Sequence, residues 1–477
     1  MPQISSIIRS HFPYTPTPGQ VEFFSKLDML MPKSTVEADT LVLRGYAGTG
    51  KTTVISAVVN VLPLFNLKSM LLAPTGRAAK VLSSYSGKNA FTIHKIIYRQ
   101  AADPNTGGVR FIKQKNYASK TIFIVDESSL ISNEKGFLAS GLLDDLVEFV
   151  FQDGSNRLIL VGDNAQLPPV GSALSPALDV SYLRDKYGMN LVQVELSEVL
   201  RQEEKSGILI NATHLREVIF NKDQSLRFDT RNYRDIFRMT NERFEDGIRY
   251  AYQKVGMENT AILCRSNWQA VRYNEYIRRT ILFKEDEIEA GDVLMVVKNN
   301  YSILEPDSAA GFIANGEFAE VRKIFNLEEK YGFRFADLEL QLVDYQDLKP
   351  FRARVTLDTL HSNSPSLTPE DNNKLYQQVL EDYKANFPKK ELKKKMQADE
   401  YLNALQVKFA YALTCHKSQG GQWQIVFVDP GNRQEEKPDE ELTRWMYTAL
   451  TRAQKEVFLI NFNDCYFNTK SDETTGQ

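Results

Sequence analysis

Leu41-Val-Leu-Arg-Gly45-Tyr-Ala47-Gly48-Thr49-Gly50-Lys51-Thr52-Thr53 decides how the chain is read. It fits G-x-x-x-x-G-K-[ST], the loop that cradles phosphate, and both flanks agree. Upstream, the apolar run from Thr40 to Leu43 predicts a buried parallel strand. Downstream, Val54-Ile-Ser-Ala-Val-Val-Asn-Val-Leu62 places apolar residues at helical spacing. A strand, a glycine-rich turn and a helix start offer backbone N–H groups and a positive dipole end to an anion. Gly48 and Gly50 accept positive φ and let the backbone approach phosphate closely. Gly45, Ala47, Thr49 and Thr53 belong to the same cradle. Lys51 is predicted to reach the β- and γ-phosphates of ATP, and Thr52 to hold Mg²⁺.

Strands further along extend this reading. Thr121-Ile-Phe-Ile-Val-Asp126-Glu127 is an apolar strand ending in two carboxylates, the Walker B pattern. Behind a phosphate loop, that pattern assigns Asp126 to the Mg²⁺ shell and Glu127 to positioning and polarising the attacking water. Arg157-Leu-Ile-Leu-Val-Gly162-Asp163-Asn164-Ala-Gln166 is a strand and polar turn; Gln166 either touches a γ-phosphate or belongs to a purely structural turn. Met70-Leu-Leu-Ala-Pro-Thr75-Gly-Arg77 repeats the strand–turn–helix form. Thr75 and Arg77 then stand at the carboxyl edge of the sheet, where open α/β sheets bind ligands; Thr75 also suits a helix cap. Gln20 sits at a helix start after Tyr14-Thr-Pro-Thr-Pro-Gly19. Its amide either reads an adenine edge or faces solvent. Thr92 and His94 lie in a polar cluster entering another helix, and His94 by itself reads as a surface or packing residue.

The chain has 477 residues, enough for two or three domains. Contents of 42% hydrophobic and 25% charged residues are those of an ordinary soluble globular protein. A net charge of −3 advertises no global basic field, although a basic groove can sit inside an acidic average. Cys264, Cys415 and Cys465 are scattered without a C-x-x-C pair. Neither a zinc site nor an iron–sulfur cluster is expected, and a reducing, cytoplasmic setting is. No apolar run nears about 18 residues, so no membrane span is expected.

Two segments interrupt the α/β rhythm. Within 101–120, Asn105-Thr-Gly-Gly followed by Val109-Arg-Phe-Ile predicts a small hairpin. There Arg110, Lys113 and Lys115 interleave with Phe111 and Tyr117, a mix suited equally to nucleic acid and to an anchored surface excursion. Between about 286 and 404, Ala290-Gly-Asp-Val-Leu-Met-Val-Val, Ile313-Ala-Asn-Gly-Glu-Phe-Ala-Glu-Val-Arg, Leu338-Glu-Leu-Gln-Leu-Val and Ala353-Arg-Val-Thr-Leu alternate at period two. Several short strands of this kind predict a small β-barrel, with Asn315-Gly316 as a hairpin turn. A polar helical arm follows over 369–400, where Lys389, Lys390, Lys393, Lys394 and Lys395 cluster. That run reads first as a solvated face and second as a contact for a DNA backbone. Thr260-Ala-Ile-Leu-Cys, Val407-Lys-Phe-Ala-Tyr-Ala-Leu, Gln424-Ile-Val-Phe-Val-Asp and Glu456-Val-Phe-Leu-Ile predict a second sheet.

In chain order, Gly45-Tyr-Ala-Gly-Thr-Gly-Lys-Thr52, Ala73-Pro-Thr-Gly-Arg-Ala-Ala79, Thr92-Ile-His-Lys95, Val125-Asp-Glu-Ser-Ser129 and Gly162-Asp-Asn-Ala-Gln-Leu-Pro-Pro-Val170 resemble the superfamily 1 helicases, specifically their RecD and Dda branch. Leu196-Ser-Glu-Val-Leu-Arg201-Gln202 resembles that family's arginine-finger motif. Tyr411-Ala-Leu-Thr414-Cys-His416-Lys417-Ser418-Gln-Gly420 resembles its late DNA- and nucleotide-coupling motif, and Tyr447-Thr-Ala-Leu-Thr-Arg452-Ala453 its final arginine motif. The resemblance implies an ATP-dependent DNA helicase moving 5′→3′ on single-stranded DNA, a monomer using ATP and Mg²⁺ on single-stranded and tailed duplex DNA. It also implies an α/β fold of two RecA-like domains, 1–175 and 176–285 with 405–477. A small pin-like insertion at 101–120 interrupts the first, and an SH3-like β-barrel with a helical arm, 286–404, interrupts the second. Arg201 and Arg452 are implied to act on the γ-phosphate, with Gly420 in the nucleotide set. Thr75, Arg77, Thr92 and His94 on the first domain, and Asn267, Thr414, His416, Lys417 and Ser418 on the second, are implied to grip DNA; Asn267 also suits a helix cap. RecD proteins carry an additional N-terminal domain, whereas here the loop begins after 44 residues, so a stand-alone motor nearer Dda is expected. Two alternatives stay open: an ATP-driven switch that binds nucleic acid without unwinding it, and an RNA helicase of the same superfamily.

Overall fold

Short runs of branched apolar residues build the first sheet. Its strands are β1 (Thr40–Gly45), β2 (Lys68–Ala73), β3 (Ala90–Thr92), β6 (Thr121–Val125), β7 (Arg157–Gly162) and β8 (Leu191–Leu196). β4 (Tyr98–Ala102) and β5 (Val109–Lys113) form a separate antiparallel hairpin. The computed structural model describes residues 3–467 apart from 32–37, 103–108, 135–139, 170, 173, 200–205, 222–225, 301, 306–307, 309–311, 346, 387 and 432–437. The predicted turn at 105–108 lies outside the described residues. Its root is pinned by the Tyr98 hydroxyl, which donates to Asp145 (2.6 Å), and by Lys113, which pairs with Asp145 (2.9 Å).

All six strands are parallel, in the order β3-β2-β6-β7-β1-β8. β6 is buried along its whole length, as expected of a parallel strand covered on both faces. Because β1 lies beside β7 and β7 beside β6, the loops leaving these three strands share one carboxyl edge. β8 pairs with β1 from Thr40–Leu191 to Gly45–Leu196, so the first sheet runs past residue 175, where the sequence reading ends the domain. As an edge strand, β8 alternates buried and exposed residues, a weaker signal than the continuous apolar runs beside it.

The second sheet holds β9 (Ile236–Met239), β10 (Thr260–Cys264), β16 (Ala412–Thr414), β17 (Trp423–Asp429) and β18 (Ala453–Ile460), all parallel, in the order β16-β10-β17-β18-β9. Between its halves, β11 (Val293–Val296), β12 (Phe318–Lys330), β13 (Phe333–Leu342), β14 (Phe351–Thr356) and β15 (Leu405–Phe409) close a barrel. Two register shifts in β12, near Val321 and Ile324, supply curvature for closure. The sequence reading places the segment starting at Val407 in the second sheet. The chain divides there instead: β15 pairs antiparallel with β11 and parallel with β14, and only β16 joins the sheet. Asn315-Gly316 is a turn, with Gly316 at φ +92°, but it leads into β12 rather than linking adjacent strands directly.

A buried charge cluster holds the barrel to the second sheet. Fully buried Asp292 accepts from Arg278 (3.1 and 3.0 Å), Lys284 (2.9 Å), the Glu289 N–H (2.8 Å) and the Tyr411 hydroxyl (2.8 Å). The arm is two helices, Pro369–Asn386 and Lys389–Gln397, which pack Leu375, Val379 and Met396 onto Phe333, Phe335 and Tyr401. Lys394 and Lys395 are exposed on it; the side chains of Lys389, Lys390 and Lys393 lie outside the described set. Among the described residues no helix is long and apolar enough to cross a membrane.

Candidate active site and nucleic-acid interface

Lys51 opens the helix Lys51–Val61, and the cap before it, Gly50, has φ +79°. Gly48 has φ +75°. A Cβ on Gly45 would fall 2.8 Å from Lys51 Cγ, so the turn closes only around glycine. Lys51 Nζ donates to the carbonyls of Gly45 (2.7 Å) and Tyr46 (3.0 Å), which holds the ammonium in the mouth of the loop. Asp126 leaves β6 beside it. Burial and the neighbouring Glu127 raise its acid to about 6, with Lys51 pulling the other way. Glu127 sits at φ +51°, an uncommon conformation for a side-chain-bearing residue, and its N–H donates to Asp126 Oδ1 (2.8 Å). Thr52 and Thr53 are half-buried on the first turn of the helix. An acid at the strand end with a second acid next to it is a pair short of a cation, which fits Mg²⁺. Among the described residues no group of three or more acidic, histidine or cysteine ligands forms a protein cage. Mg²⁺ needs none, since it takes one or two carboxylates and completes its shell with phosphate oxygens and water.

Gln20 does not face solvent, the second of the two readings made from sequence. It is only 1% exposed, and its amide is already engaged: Oε1 accepts from the Thr17 N–H (3.1 Å) and Nε2 donates to the Thr49 carbonyl (3.1 Å). Gln20 therefore caps its own helix and braces the phosphate loop from behind. Thr49 Oγ1 adds a bond to the Tyr46 carbonyl (2.8 Å).

The second domain closes onto this loop through the helix Glu440–Leu450. The fully buried Tyr447 hydroxyl accepts from the Ala47 N–H (3.0 Å) and donates to Asp163 Oδ2 (2.7 Å). One oxygen thus joins the phosphate loop, the turn after β7 and the second domain. Thr448 Oγ1 accepts from the Leu167 N–H (2.8 Å), Gln419 Nε2 donates to the Leu167 carbonyl (2.7 Å), and Arg444 bonds the Asn164 carbonyl. Sequence reasoning quoted Tyr447 without giving it a role; the signal was a phenol hydroxyl set between the apolar pairs Trp445-Met446 and Ala449-Leu450. Gln166 is buried at the same junction, and its amide oxygen has no partner. Arg452 is buried within the second domain, donating to the carbonyls of Thr448 (3.1 Å) and Gly421 (3.3 Å). Arg201 lies outside the described residues.

The expected DNA-gripping residues divide. Asn267, Thr414 and Lys417 line one crevice in the second domain, and His416 is half-buried beside them. Three hydroxyls and one glycine have close partners within the protein. Thr92 is buried and accepts from the Lys95 N–H (3.2 Å), while Thr75 accepts from the Ala78 N–H (3.2 Å); both are helix caps. Ser418 is fully buried, donating to the Cys415 carbonyl (2.7 Å). Gly420, expected among the nucleotide contacts, lies against Thr75 and Ala78, where a Cβ would come 2.9 Å from Thr75 Oγ1. The reason is common to the hydroxyls: each satisfies a nearby backbone group left open by a short helix.

The barrel rim reaches between the two sets. Arg77 lies between Phe318 (4.8 Å) and Trp423 (4.1 Å), and burial lowers its pKa. His94 packs against Tyr98 and Phe312, where burial pushes its pKa down to about 4 and keeps the ring neutral. Lys417 donates to Asn315 (2.6 Å), and burial brings its pKa down to about 8. Glu317, 3% exposed, rests at the start of the helix Gly76–Ser86, its Oε2 without a partner and its acid raised by burial to about 8.

Comparison with known proteins agrees with this geometry. Residues 30–220 match the AAA domain family model, and residues 409–460 match the UvrD-like helicase C-terminal domain model. The chain is 32% identical over 174 residues to the ATP-dependent RecD2 DNA helicase of Deinococcus radiodurans, covering 36% of this chain and 21% of that one. It is 26% identical over 275 residues to the ATP-dependent DNA helicase Dda of Enterobacteria phage T4, covering 54% and 56% respectively. Over these stretches the chain is similar to superfamily 1 helicases of the RecD and Dda side. The chain also matches an uncharacterised protein of Acanthamoeba polyphaga mimivirus, 24% identical over 481 residues, 87% of this chain and 94% of that one. It spans about a fifth of RecD2 and just over half of Dda.

Proposed function

We propose that this chain is a superfamily 1 helicase, an ATP-driven motor that moves 5′→3′ on single-stranded DNA and separates duplex ahead of it. The observation that carries the reading is the Ala47–Tyr447–Asp163 junction, which ties the phosphate loop of one motor domain to a helix of the other. Occupancy of the loop can then be felt by the second domain. Lys51 would meet the β- and γ-phosphates, and Glu127 would orient the attacking water. Thr52 and Asp126 would hold Mg²⁺, which supplies charge neutralisation on the phosphates. Arg201 and Arg452 would meet the γ-phosphate from the second domain, Arg452 after leaving the carbonyls it now holds. Asn267, Thr414, His416 and Lys417 on the second domain, with Arg77 and His94 on the first, would track the strand, and the SH3-like barrel would close over it.

Strand grip of this kind is mainly to backbone, hence tolerant of sequence and weakened by salt. The β4–β5 hairpin, with exposed Tyr117 in the segment after it, would act as a small pin where strands part. The protein would work as a monomer in the cytoplasm. Duplexes with either a 5′ or a 3′ single-stranded tail test the reading. Unwinding of the 5′-tailed substrate alone is expected. Unwinding only from a 3′ tail would overturn the direction. ATPase stimulated by single-stranded DNA without strand separation would favour a switch, and stimulation by RNA in place of DNA would favour an RNA motor.

A further inference from the structure

The helix Asn267–Tyr276 presents two faces at the carboxyl edge of the second sheet. Asn267, Ala270, Val271 and Asn274 repeat at helical spacing and face the crevice shared with Thr414 and Lys417. Trp268, Arg272 and Glu275 fall on the opposite face. Together with Arg265 before the helix and Arg279 after it, they line an open groove of about 1030 Å³. Trp268 is 51% exposed, and the Arg272 guanidinium lies 4.9 Å over its ring. Arg265 is half-buried at the groove, with its Nη1 buried and without a partner. Of the two acids present, Glu275 pairs with His361 (3.2 Å). Asp429 is occupied by the Tyr273 hydroxyl (2.6 Å), the Gly431 N–H (2.8 Å) and Asn461 (3.2 Å). Exposed Arg272 and Arg279, half-buried Arg265 and one exposed indole remain at the groove, a combination that no nucleotide-site role absorbs.

We propose that this groove is a second single-strand subsite, continuing the path past Asn267. A base stacks on Trp268, while Arg265, Arg272 and Arg279 meet the flanking phosphates. The inference rests on the proposed reading of the Asn267–Thr414–Lys417 crevice as a strand path, because Asn267 and Trp268 are chain neighbours. A strand leaving that crevice has only to cross the Ser266–Trp268 corner to reach the groove. Recognition by indole stacking and guanidinium–phosphate contact tolerates any base.

Tryptophan emission gives a direct test on the full chain. Of the three tryptophans, Trp423 and Trp445 are 4% and 3% exposed, so Trp268 alone presents its ring to an incoming base. Oligothymidylates of roughly 6 and roughly 20 nucleotides, a span set by typical single-strand site sizes, are titrated with a terminal dye reporting binding. The long oligomer is expected to quench tryptophan emission in the wild type and not in Trp268→Phe. Trp268→Ala should weaken the long oligomer by about five- to a hundredfold, from the usual worth of one stacked base, and leave the short one nearly unchanged. Arg272→Gln and Arg279→Gln should each lower the slope of log affinity against log salt by about 0.7. A bound long oligomer that leaves Trp268 emission unchanged, or that binds Trp268→Ala as tightly as wild type, overturns the subsite while leaving the motor reading intact. Absence of binding by either oligomer overturns both.

Discussion

Replacing Tyr447 with Phe removes one oxygen and keeps the buried ring, so it tests the junction between the motor domains with little change in packing. Two hydrogen bonds go with that oxygen. Asp163 Oδ2 loses its 2.7 Å donor inside a site where Asp163 is only 1% exposed, and Oδ1 keeps the Ala165 N–H at 2.9 Å. The Ala47 N–H loses its 3.0 Å acceptor. A hydrogen bond to a charged group contributes about 1.5–3 kcal/mol, and a stranded buried N–H costs about 1–3 kcal/mol. The two share one atom and are not additive, so about 3 kcal/mol is the working figure. At about 1.4 kcal/mol per tenfold, the closed arrangement of the two domains should become roughly a hundredfold less favoured. Steady-state ATPase at saturating single-stranded DNA should therefore show kcat falling by one to two orders of magnitude. Binding of a fluorescent nucleotide to the isolated protein should change far less, because the loop glycines and Lys51 are untouched. A cycle with Asp163→Asn should show strong coupling between the two positions. If Tyr447→Phe keeps kcat within about twofold of wild type and shows no coupling to Asp163, the junction does not transmit nucleotide state and the carrying observation of the proposed function is lost.

Lys51→Ala should abolish ATP hydrolysis, and Glu127→Gln should bind ATP but not turn it over; normal turnover by the latter would remove Glu127 from the water-positioning role. Arg452→Ala should lower kcat far more than nucleotide affinity, since the charge it would meet grows during transfer; lost affinity with kcat kept would argue against a finger. Glu317 has its acid raised by burial to about 8, so its contribution is fully present below the unfolded value near 4.5 and is lost as pH rises through about 8. The wild-type melting temperature should accordingly fall between about pH 6 and pH 9 by more than that of Glu317→Gln, and equal falls would show the carboxyl to be solvated. Asp292→Ala leaves Arg278 and Lys284 buried without their shared acid and should cost about 3–5 kcal/mol in urea unfolding, with the midpoint moving and the slope unchanged.

The phosphate loop, the Asp126–Glu127 pair and the two-sheet plan were legible from sequence because each rests on local chemistry. A strand, a turn needing positive φ at Gly48 and Gly50, and a helix start all fall within a dozen neighbouring residues, so the pattern and the shape coincide. The barrel was legible from period-two alternation, but its closing strand was not. Leu405-Gln-Val-Lys-Phe409 leads within three residues into the apolar β16, and only its pairing with β11 and β14 decides where it belongs. The same holds for β8, whose place beside β1 depends on residues some 150 positions away. Hydroxyls at Thr92 and Ser418 could serve a strand or a helix end, and here each bonds the nearest open backbone group. Trp268 and Asn267 are adjacent in sequence yet face different grooves, because one residue of helix turns a side chain by about 100°. Local order can specify which groups are present at the sheet edges. Which of them meet is decided by contacts such as Ala47 to Tyr447, 400 residues apart, that exist only once both domains have folded and closed.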